Sequence, residues 1–274
     1  MKHRHTLYTV LLAMLTAIFG TGKAAAQQAY TEYDSETKTL TFYYDDDRAT
    51  RSGKTYTVPD EAATPVWNQI AGGPSSEITT VVFDPSFADA RPTSTASWFA
   101  DMGNLVTING MAENLNTSEV TSMDRMFNRC TSLASIDLSG FDTKKVEDMY
   151  GMFTSCESLE ELNLMSFDTQ SLMDTEGMFR FCSLLRTIYI NTLTWDMSGV
   201  TNSKNMFLDC KKILGCRGTV YDVNHIDKDY AQLDYGGGDP GYLSIPPEAY
   251  VLYDGSSTLT FDCDSDQWLR IGTT

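Results

Sequence analysis

Apolar side chains recur along the middle of this chain with a fixed period. From Val120, and again one unit later from Val146, the sequence follows one frame, V-x-x-M-x-x-M-F-x-x-C-x-x-L-x-x-[IL]-x-L-x-x-F-D-T. A unit of this size is too small to bury its own apolar residues, so such a period is typical of solenoids whose units stack on one another.

The frame extends beyond these two units in both directions. Equivalent phenylalanines fall at nearly equal steps, at Phe99, Phe127, Phe153, Phe179 and Phe207. The pattern therefore predicts about five coils, each of roughly 26–28 residues, within positions 72–217.

Each unit has two halves that differ in periodicity. The segment L-x-x-[IL]-x-L predicts a short strand with alternate residues pointing inward, and strands of successive coils are expected to pair in parallel as one continuous sheet. The segment V-x-x-M-x-x-M-F-x-x-C has apolar residues at steps of three and four, which predicts a short helix or 3₁₀ stretch. An Asp-Thr pair after Phe141 and after Phe167 is suited to cap that helical turn. The fold class predicted is an α/β solenoid with a parallel sheet on one face.

The residues before the repeats predict a β cap. Two strands, Ala29–Tyr33 and Lys38–Tyr44, flank a polar turn, and Lys54–Val58 predicts a third strand that ends at Pro59. We assign residues 27–71 to an N-terminal β cap, because an end coil without a cap would expose its apolar interior.

The frame is lost after Gly215, where a segment rich in Gly and Tyr begins. Residues 218–247 are predicted to form a C-terminal cap and loop. Beyond it, Ala249–Asp264 restates Ala29–Asp45 with a shorter turn. We expect residues 248–274 to begin a second, incomplete β cap module, and the alternative is a second hairpin that completes the cap.

Residues 1–26 have the three parts of a secretory signal peptide. Met1–His5 is basic, Thr6–Gly20 is apolar, and Ala24–Ala26 provides small residues for cleavage. An uncleaved anchor is the alternative, but a spanning helix wants about 18 or more apolar residues. The sequence predicts an exported protein, secreted or displayed at the cell surface, that does not insert into the membrane after cleavage.

Charge excludes one class of partner. The chain has a net charge of −17, and cleavage would remove Lys2, Arg4 and Lys23 to leave −20. A strongly acidic protein is repelled by nucleic acids and by anionic membranes. Charge of this sign is compatible with cations, with basic partners or with solubility alone, and we expect a monomer.

Cysteine usage follows the repeat. Six cysteines come after the predicted cleavage site, and four of them share one position of the frame: Cys130, Cys156, Cys182 and Cys210. Such a ladder favours a column of small buried hydrophobic groups over a disulfide framework, although stacking at about 5 Å also permits oxidation. Cys210 with Cys216 is the best disulfide candidate, and the redox state of Cys263 is likewise open.

Four segments outside the central units extend the pattern. They are Thr39–Tyr44, Val81–Thr95, Leu115–Val120 and Gly218–Tyr242. With the repeat frame, they resemble the BspA-type leucine-rich-repeat surface proteins of bacteria. The resemblance implies a leucine-rich-repeat-like solenoid that is exported or surface-displayed and non-enzymatic, with some members binding host proteins or other cells. It implies no shared catalytic residues.

Residues for catalysis or metal binding are sparse. His225 is the one histidine outside the predicted signal peptide, and no Cys-x-x-Cys pair is present. Asp262, Asp264 and Asp266 begin like a calcium loop, but Gln267 stands where such a loop needs Gly. We expect no cofactor, no metal and no enzymatic activity. Paired carboxylates acting on an extracellular polymer remain the alternative, since acids are abundant.

The predicted functional surface is the outward side of the stacked strands. Solenoids bind partners through such extended faces. The candidate partner-binding residues are Thr107, Asn109, Ser135, Asp137, Glu161, Asn163, Met165, Thr187, Tyr189 and Asn191. We expect them to bind an extracellular protein or glycan, as in adhesion. A polar ladder that serves only the sheet, in a structural spacer or truncated remnant, is the competing interpretation.

Overall fold

The computed structural model describes residues 27–59, 61, 63–68, 73–235, 238–246, 250–253 and 257–260. The predicted signal peptide, the acidic run that starts at Asp262, and Cys263 lie outside the described residues. The strands are β1 (Tyr30–Asp34), β2 (Thr39–Tyr43), β3 (Lys54–Thr57), β4 (Thr80–Phe83), β5 (Thr107–Asn109), β6 (Glu161–Leu164), β7 (Thr187–Ile190), β8 (Tyr250–Tyr253) and β9 (Ser257–Thr260). Helix α1 is Met111–Asn114, and short 3₁₀ turns span Asp47–Thr50, Val66–Asn68, Pro85–Asp89 and Lys228–Tyr230.

The N-terminal strands and the first repeats share one sheet. Its order is β3-β1-β2-β4-β5, with β1 antiparallel to both of its neighbours and β2, β4 and β5 parallel to each other. The register places Leu40 beside Val81 and Val81 beside Ile108. The alternating apolar residues predicted these strands, because every second side chain of a strand points to the same face.

Aromatic rings fill the junction between the first sheet and the repeats. Phe42 stacks on Phe83 with ring centroids 4.5 Å apart and on Trp98 at 5.2 Å, and all three are buried. Two polar side chains close the start of the repeats: Trp67 Nε1 donates to the Trp98 carbonyl at 2.9 Å, and Asn68 Nδ2 donates to the Ser97 carbonyl. The Trp98 carbonyl has no preceding repeat to accept from, and the bond from Trp67 satisfies it, whereas the Ser97 carbonyl also accepts from the Ala100 amide of its own turn.

The half of each repeat predicted as a helix or 3₁₀ stretch is a ladder of turns, so the helical prediction is wrong. Successive amides donate alternately within the repeat and to the next repeat. The Met126 amide donates to the Met123 carbonyl of its own turn at 3.2 Å, whereas the Phe127 amide donates to the Met152 carbonyl of the next repeat at 2.9 Å. Arg125 and Arg129 have φ of 52° and 60°, in the left-handed region. A left-handed residue every fourth position interrupts any helix, although apolar residues at steps of three and four remain on the inner side.

This turn ladder repeats with little change along the chain. At each of the interfaces between its rungs, four backbone amides donate to four carbonyls of the following repeat. The donors are Thr95, Ser97, Phe99 and Asp101, then Met123, Arg125, Phe127 and Arg129, then Met149, Gly151, Phe153 and Ser155, then Thr175, Gly177, Phe179 and Phe181. Helical amides would be consumed inside each unit, so the turn geometry is what links one repeat to the next.

The repeated Phe and Cys residues form continuous buried columns. Stacked rings run from Phe99 to Phe207 with centroids 5.3 to 5.9 Å apart. Each ladder thiol donates to the carbonyl of a Phe one repeat earlier, as Cys156 does to Phe127 at 3.1 Å. The four ladder cysteines are free thiols, and the Cys216 thiol donates to the Asp234 carbonyl. The interpretation of the ladder as buried small groups agrees with this arrangement, and the proposed Cys210–Cys216 bond is absent.

The parallel sheet is interrupted, which corrects the expectation of one continuous sheet. Strands β6 and β7 pair in a separate sheet, and residues 133–138 between β5 and β6 form no strand. The step from Ile108 to Ile136 is longer than the next step, from Ile136 to Leu162, and its longer corner contains helix α1. A Cβ on Gly140 would lie 1.8 Å from the Ala112 carbonyl oxygen, so the corner of the next repeat is packed directly on the α1 backbone. This longer corner coincides with the loss of strand pairing.

The C-terminal segment caps the last repeat. The amides of the last repeat have no following repeat to donate to, and they bond to the C-terminal segment instead. The Asn205 amide donates to Asp227 Oδ1, the Phe207 amide to the Ile226 carbonyl, and the Asp209 amide to the Tyr221 hydroxyl. Ser244 extends the second sheet, because its amide donates to Ile188 at 2.9 Å and its carbonyl accepts from Ile190. Beyond it, β8 and β9 form an antiparallel pair.

The described residues contain one α-helix, the four-residue helix α1. No helical segment among them is long and apolar enough to cross a membrane.

Candidate functional site

The candidate partner-binding residues lie on or directly after β5, β6 and β7, or in the equivalent residues 133–138, which form no strand. We call the outward side of these segments the strand face. None of the ten is buried. The exposed ones are Thr107, Asn109, Ser135, Asp137, Glu161 and Asn163, and the half-buried ones are Met165, Thr187, Tyr189 and Asn191. The face is therefore most open in its middle and becomes partly covered toward β7, where the segment containing Ser244 pairs alongside.

Three of these residues have a structural role as well. The side chain of Asp137 accepts a hydrogen bond from Ser139 N–H at 2.9 Å, that of Asn163 from Met165 N–H at 3.1 Å, and that of Asn191 from Leu193 N–H at 3.0 Å. Such bonds form Asx turns, which end a strand. Hydrogen bonds from Ser139 hold the pKa of the Asp137 carboxyl below its usual value.

The remaining polar residues in the middle of the face are uncommitted. The side chains of Thr107, Ser135 and Glu161 make no hydrogen bond to other residues in the part of the chain that the structure describes. Side chains of this kind stay available to a partner, because folding has not used their donors and acceptors.

A cleft lies on this face where the sheet is interrupted. Its volume is about 430 Å³, and the residues that line it are Val106, Thr107, Ile108, Ser135, Ile136, Asp137, Leu138, Ser139 and Asn163. Val106 is 56% exposed, so the cleft has an apolar as well as a polar lining. The cleft brings together four of the predicted residues, with Thr107 on one side of the interruption and Asn163 on the other. Sequence reasoning predicted the residues but not the opening between them.

The Asp-Thr corners act between repeats. Thr143 is fully buried, and its hydroxyl donates to the Asp168 carbonyl at 2.9 Å while it accepts from the Asp168 amide at 2.8 Å. The same two bonds join Thr117 to Asp142 and Thr169 to Asp196. The Asp side chains also accept from the amide two residues on, as Asp168 does from Gln170. The corners cap turns, as expected, and in addition they join successive repeats.

The turn ladder also carries a column of carboxylates that the sequence pattern did not predict. Asp124, Asp148 and Asp174 lie close enough to interact, and burial, together with the other two carboxylates, raises the pKa of Asp124 to about 6 despite Arg125 at 3.0 Å. Asp124 Oδ1 is buried without a hydrogen-bond partner among the described residues. A signal was present in the sequence, since both repeat units carry acids next to the Met positions of the frame.

Other candidates resolve into structural contacts. Asp45 is held by Arg51 at 2.5 Å and by the Tyr30 hydroxyl, so its oxygens are already occupied. His225 Nδ1 lies 3.0 Å from Asp229 at an exposed position, and its ring stacks on Tyr230. Among the described residues, no group of three or more His, Cys, Asp or Glu side chains is arranged to hold a metal ion.

Residues 93–216 match a protein family model. That model is described as "Mycoplasma protein of unknown function, DUF285", and the match covers the turn ladder but less than half of the chain. The described fold is leucine-rich-repeat-like, in that stacked repeats each contribute a short segment with buried alternate residues.

One solved structure matches this chain weakly. The crystal structure of a leucine-rich repeat protein of T. pallidum shares 16% sequence identity with this chain, with a TM-score of 0.33, over 77% of this chain and 95% of that one. No curated protein matches the sequence.

Proposed function

We propose that this protein is a non-enzymatic solenoid of about five coils, of the BspA type, that is exported and binds an extracellular protein or glycan through its strand face. The single observation that carries the proposal is the open middle of that face, where Thr107, Ser135 and Glu161 are exposed and uncommitted. Solenoids commonly bind through such extended surfaces.

The use of acids elsewhere supports a binding role over catalysis. Many carboxylates that the composition left open for acid-base chemistry cap turns instead, as Asp168 and Asp196 do. The exposed uncommitted side chains of the strand face carry hydroxyl and carboxylate groups, which suit recognition of a polar surface.

One observation favours a second candidate, a hydrolase acting on extracellular polymers. A carboxyl group with a pKa of about 6 next to other carboxylates is the arrangement of a general acid, and Asp124 has it. The hydrolase candidate predicts that Asp124→Asn abolishes turnover of a polysaccharide or peptide panel. No turnover by the unmodified protein would remove this candidate.

A binding panel tests the leading proposal. The protein without residues 1–26 is applied to immobilised extracellular-matrix proteins and glycans, next to a double variant, Ser135→Arg with Glu161→Arg. The matched control is Glu157→Arg with Ser183→Arg, which changes the same residue types at exposed positions off the strand face. Loss of binding in the first variant alone supports the proposal. Absence of binding to the whole panel, or equal binding by both variants, contradicts it.

A further inference from the structure

The cleft between β5 and residues 134–138 has properties that the binding role alone does not require. It combines backbone groups without partners, exposed apolar surface and one acid. Together these features indicate what class of molecule fits.

The first feature is unpaired backbone. Thr107 N–H is directed to β4, where it donates to Thr79, and successive residues of a parallel strand bond to opposite sides. The amide and carbonyl of Ile108 therefore face the cleft. No backbone hydrogen bond joins residues 134–137 to β5 or to β6 among the described residues. Both walls thus present main-chain donors and acceptors that a strand normally satisfies.

The second feature is the chemistry of the lining. Val106 is 56% exposed, and Ile108 and Ile136 are only partly buried. None of the residues that line the cleft is aromatic. Sugars are commonly held on aromatic rings, whereas an extended peptide supplies alternating amides and carbonyls for the main chain and side chains for the apolar positions.

The third feature is charge. Asp137 is the charged residue among those that line the cleft, and Glu161 is exposed on the same face. The Asp137 carboxylate keeps its charge, because the Ser139 amide stabilises it. An acidic edge on a protein of net charge −17 favours a cationic partner.

We propose that the cleft binds an extended polypeptide segment of a partner protein, which adds to the backbone of Ile108 and of residues 134–137 as a strand and places an apolar and a basic side chain against Val106 and Asp137. The proposal rests on the proposed function and narrows it to a protein ligand. A cleft of about 430 Å³ accommodates a few residues, so the segment is short.

A displayed library of random heptapeptides is the probe. The library is selected on the protein without residues 1–26, and a selected peptide is then synthesised in two N-methylated forms, each blocking alternate amides. A strand that pairs with both walls directs alternate amides to opposite sides, so each form is expected to bind at least tenfold more weakly than the unmodified peptide. Full affinity in either form would overturn the proposal.

Two variants locate the site. Ser135→Trp is expected to fill the cleft and weaken peptide binding at least tenfold, and Ser183→Trp, also at an exposed serine, is expected to leave it unchanged. Hydrogen exchange gives an independent readout: the amides of Ile108 and of residues 135–137 exchange rapidly in the free protein and become protected by the peptide. Ser135→Arg serves as a second variant if the Trp protein unfolds at a lower temperature.

The outcomes separate this inference from the proposed function. If no peptide is selected, or Ser135→Trp binds normally, while the strand-face double variant still loses a partner from the binding panel, the inference is overturned and the proposed function stands. If neither the library nor the panel yields a ligand, both are overturned.

Discussion

Replacement of Thr143 by Val tests the hydroxyl contacts that hold one repeat against the next. Thr143 is fully buried, and its hydroxyl satisfies both the amide and the carbonyl of Asp168. Val has nearly the same shape, so packing is retained while both Asp168 groups lose their partner. A buried polar group left unpaired costs about 1–3 kcal/mol. Because Asp168 is half-buried and water reaches part of it, we expect a loss of about 2–4 kcal/mol in the free energy of unfolding.

Urea unfolding followed by circular dichroism measures this loss, and the variants are compared with one common slope of the free energy of unfolding against urea concentration. Thr143→Ser keeps the hydroxyl and removes one methyl group, so it is expected to cost only about 1 kcal/mol. Thr107→Val, at an exposed threonine, is expected to change stability by less than about 0.5 kcal/mol. If Thr143→Val is no less stable than Thr143→Ser, the hydroxyl bonds do not carry the stability that the geometry assigns to them.

Three further predictions follow from the turn ladder and the thiol column. The pKa of Asp124 is about 6 in the folded protein, above its unfolded value, so its ionisation destabilises the fold as the pH rises from about 4 through 6. In urea unfolding, Asp124→Asn should therefore be about 1–2 kcal/mol more stable than the wild type at pH 7.5 and equally stable at pH 4. An equal gain in stability at both pH values would refute this prediction. Burial raises the pKa of Cys182 to about 12, so Ellman's reagent should modify half-buried Cys216 before the ladder cysteines, which should react only on unfolding. Comparable rates for Cys216 and the ladder cysteines in the native protein would contradict the burial of the ladder. Gly177 has a φ of 63°, and a Cβ added there would make no close contact. Gly177→Ala should therefore lower the free energy of unfolding by about 1 kcal/mol through backbone strain alone. An unchanged thermal midpoint would show that the left-handed backbone is not required at this position.

The sequence was sufficient to predict most of the buried residues of the repeats, although Ile108 and Ile136, predicted to point inward, are only partly buried. The repeated Val, Met, Phe, Cys and Leu positions are in the core, as Val120, Met123 and Cys130 are, because apolar spacing reports the inner side whichever local conformation the backbone adopts. The strands of the N-terminal cap were predicted to within a residue or two for the same reason, since a period of two is specific to strands.

The spacing of apolar residues could not predict the backbone conformation in the second half of each repeat. Steps of three and four residues fit a helix and a succession of three-residue turns equally well. What distinguishes them is the left-handed backbone at residues such as Arg125 and Ser155, which are not glycine or asparagine and give no local signal. The strain at these positions is offset by bonds to the next repeat, and such bonds between distant residues are invisible to a local pattern.

The opening in the strand face was unpredictable for a related reason. The sequence shows the longer step between Ile108 and Ile136. It does not show that this step contains helix α1, or that it coincides with the loss of strand pairing at residues 133–138. The carboxylate column has the same origin. Residues such as Asp124 and Asp148 belong to different repeats and meet only because the repeats stack.

The turn ladder also bears on how such a chain changes over generations. Every rung offers the same four carbonyls on one side and the same four amides on the other, from the rung of Thr95 to that of Thr175. Any rung can therefore follow any other, and only the capping contacts at Trp67 and Asp227 are particular to an end. Duplication or loss of one unit between the caps requires no new complementary surface, so the length of the array is free to vary while its ends stay fixed.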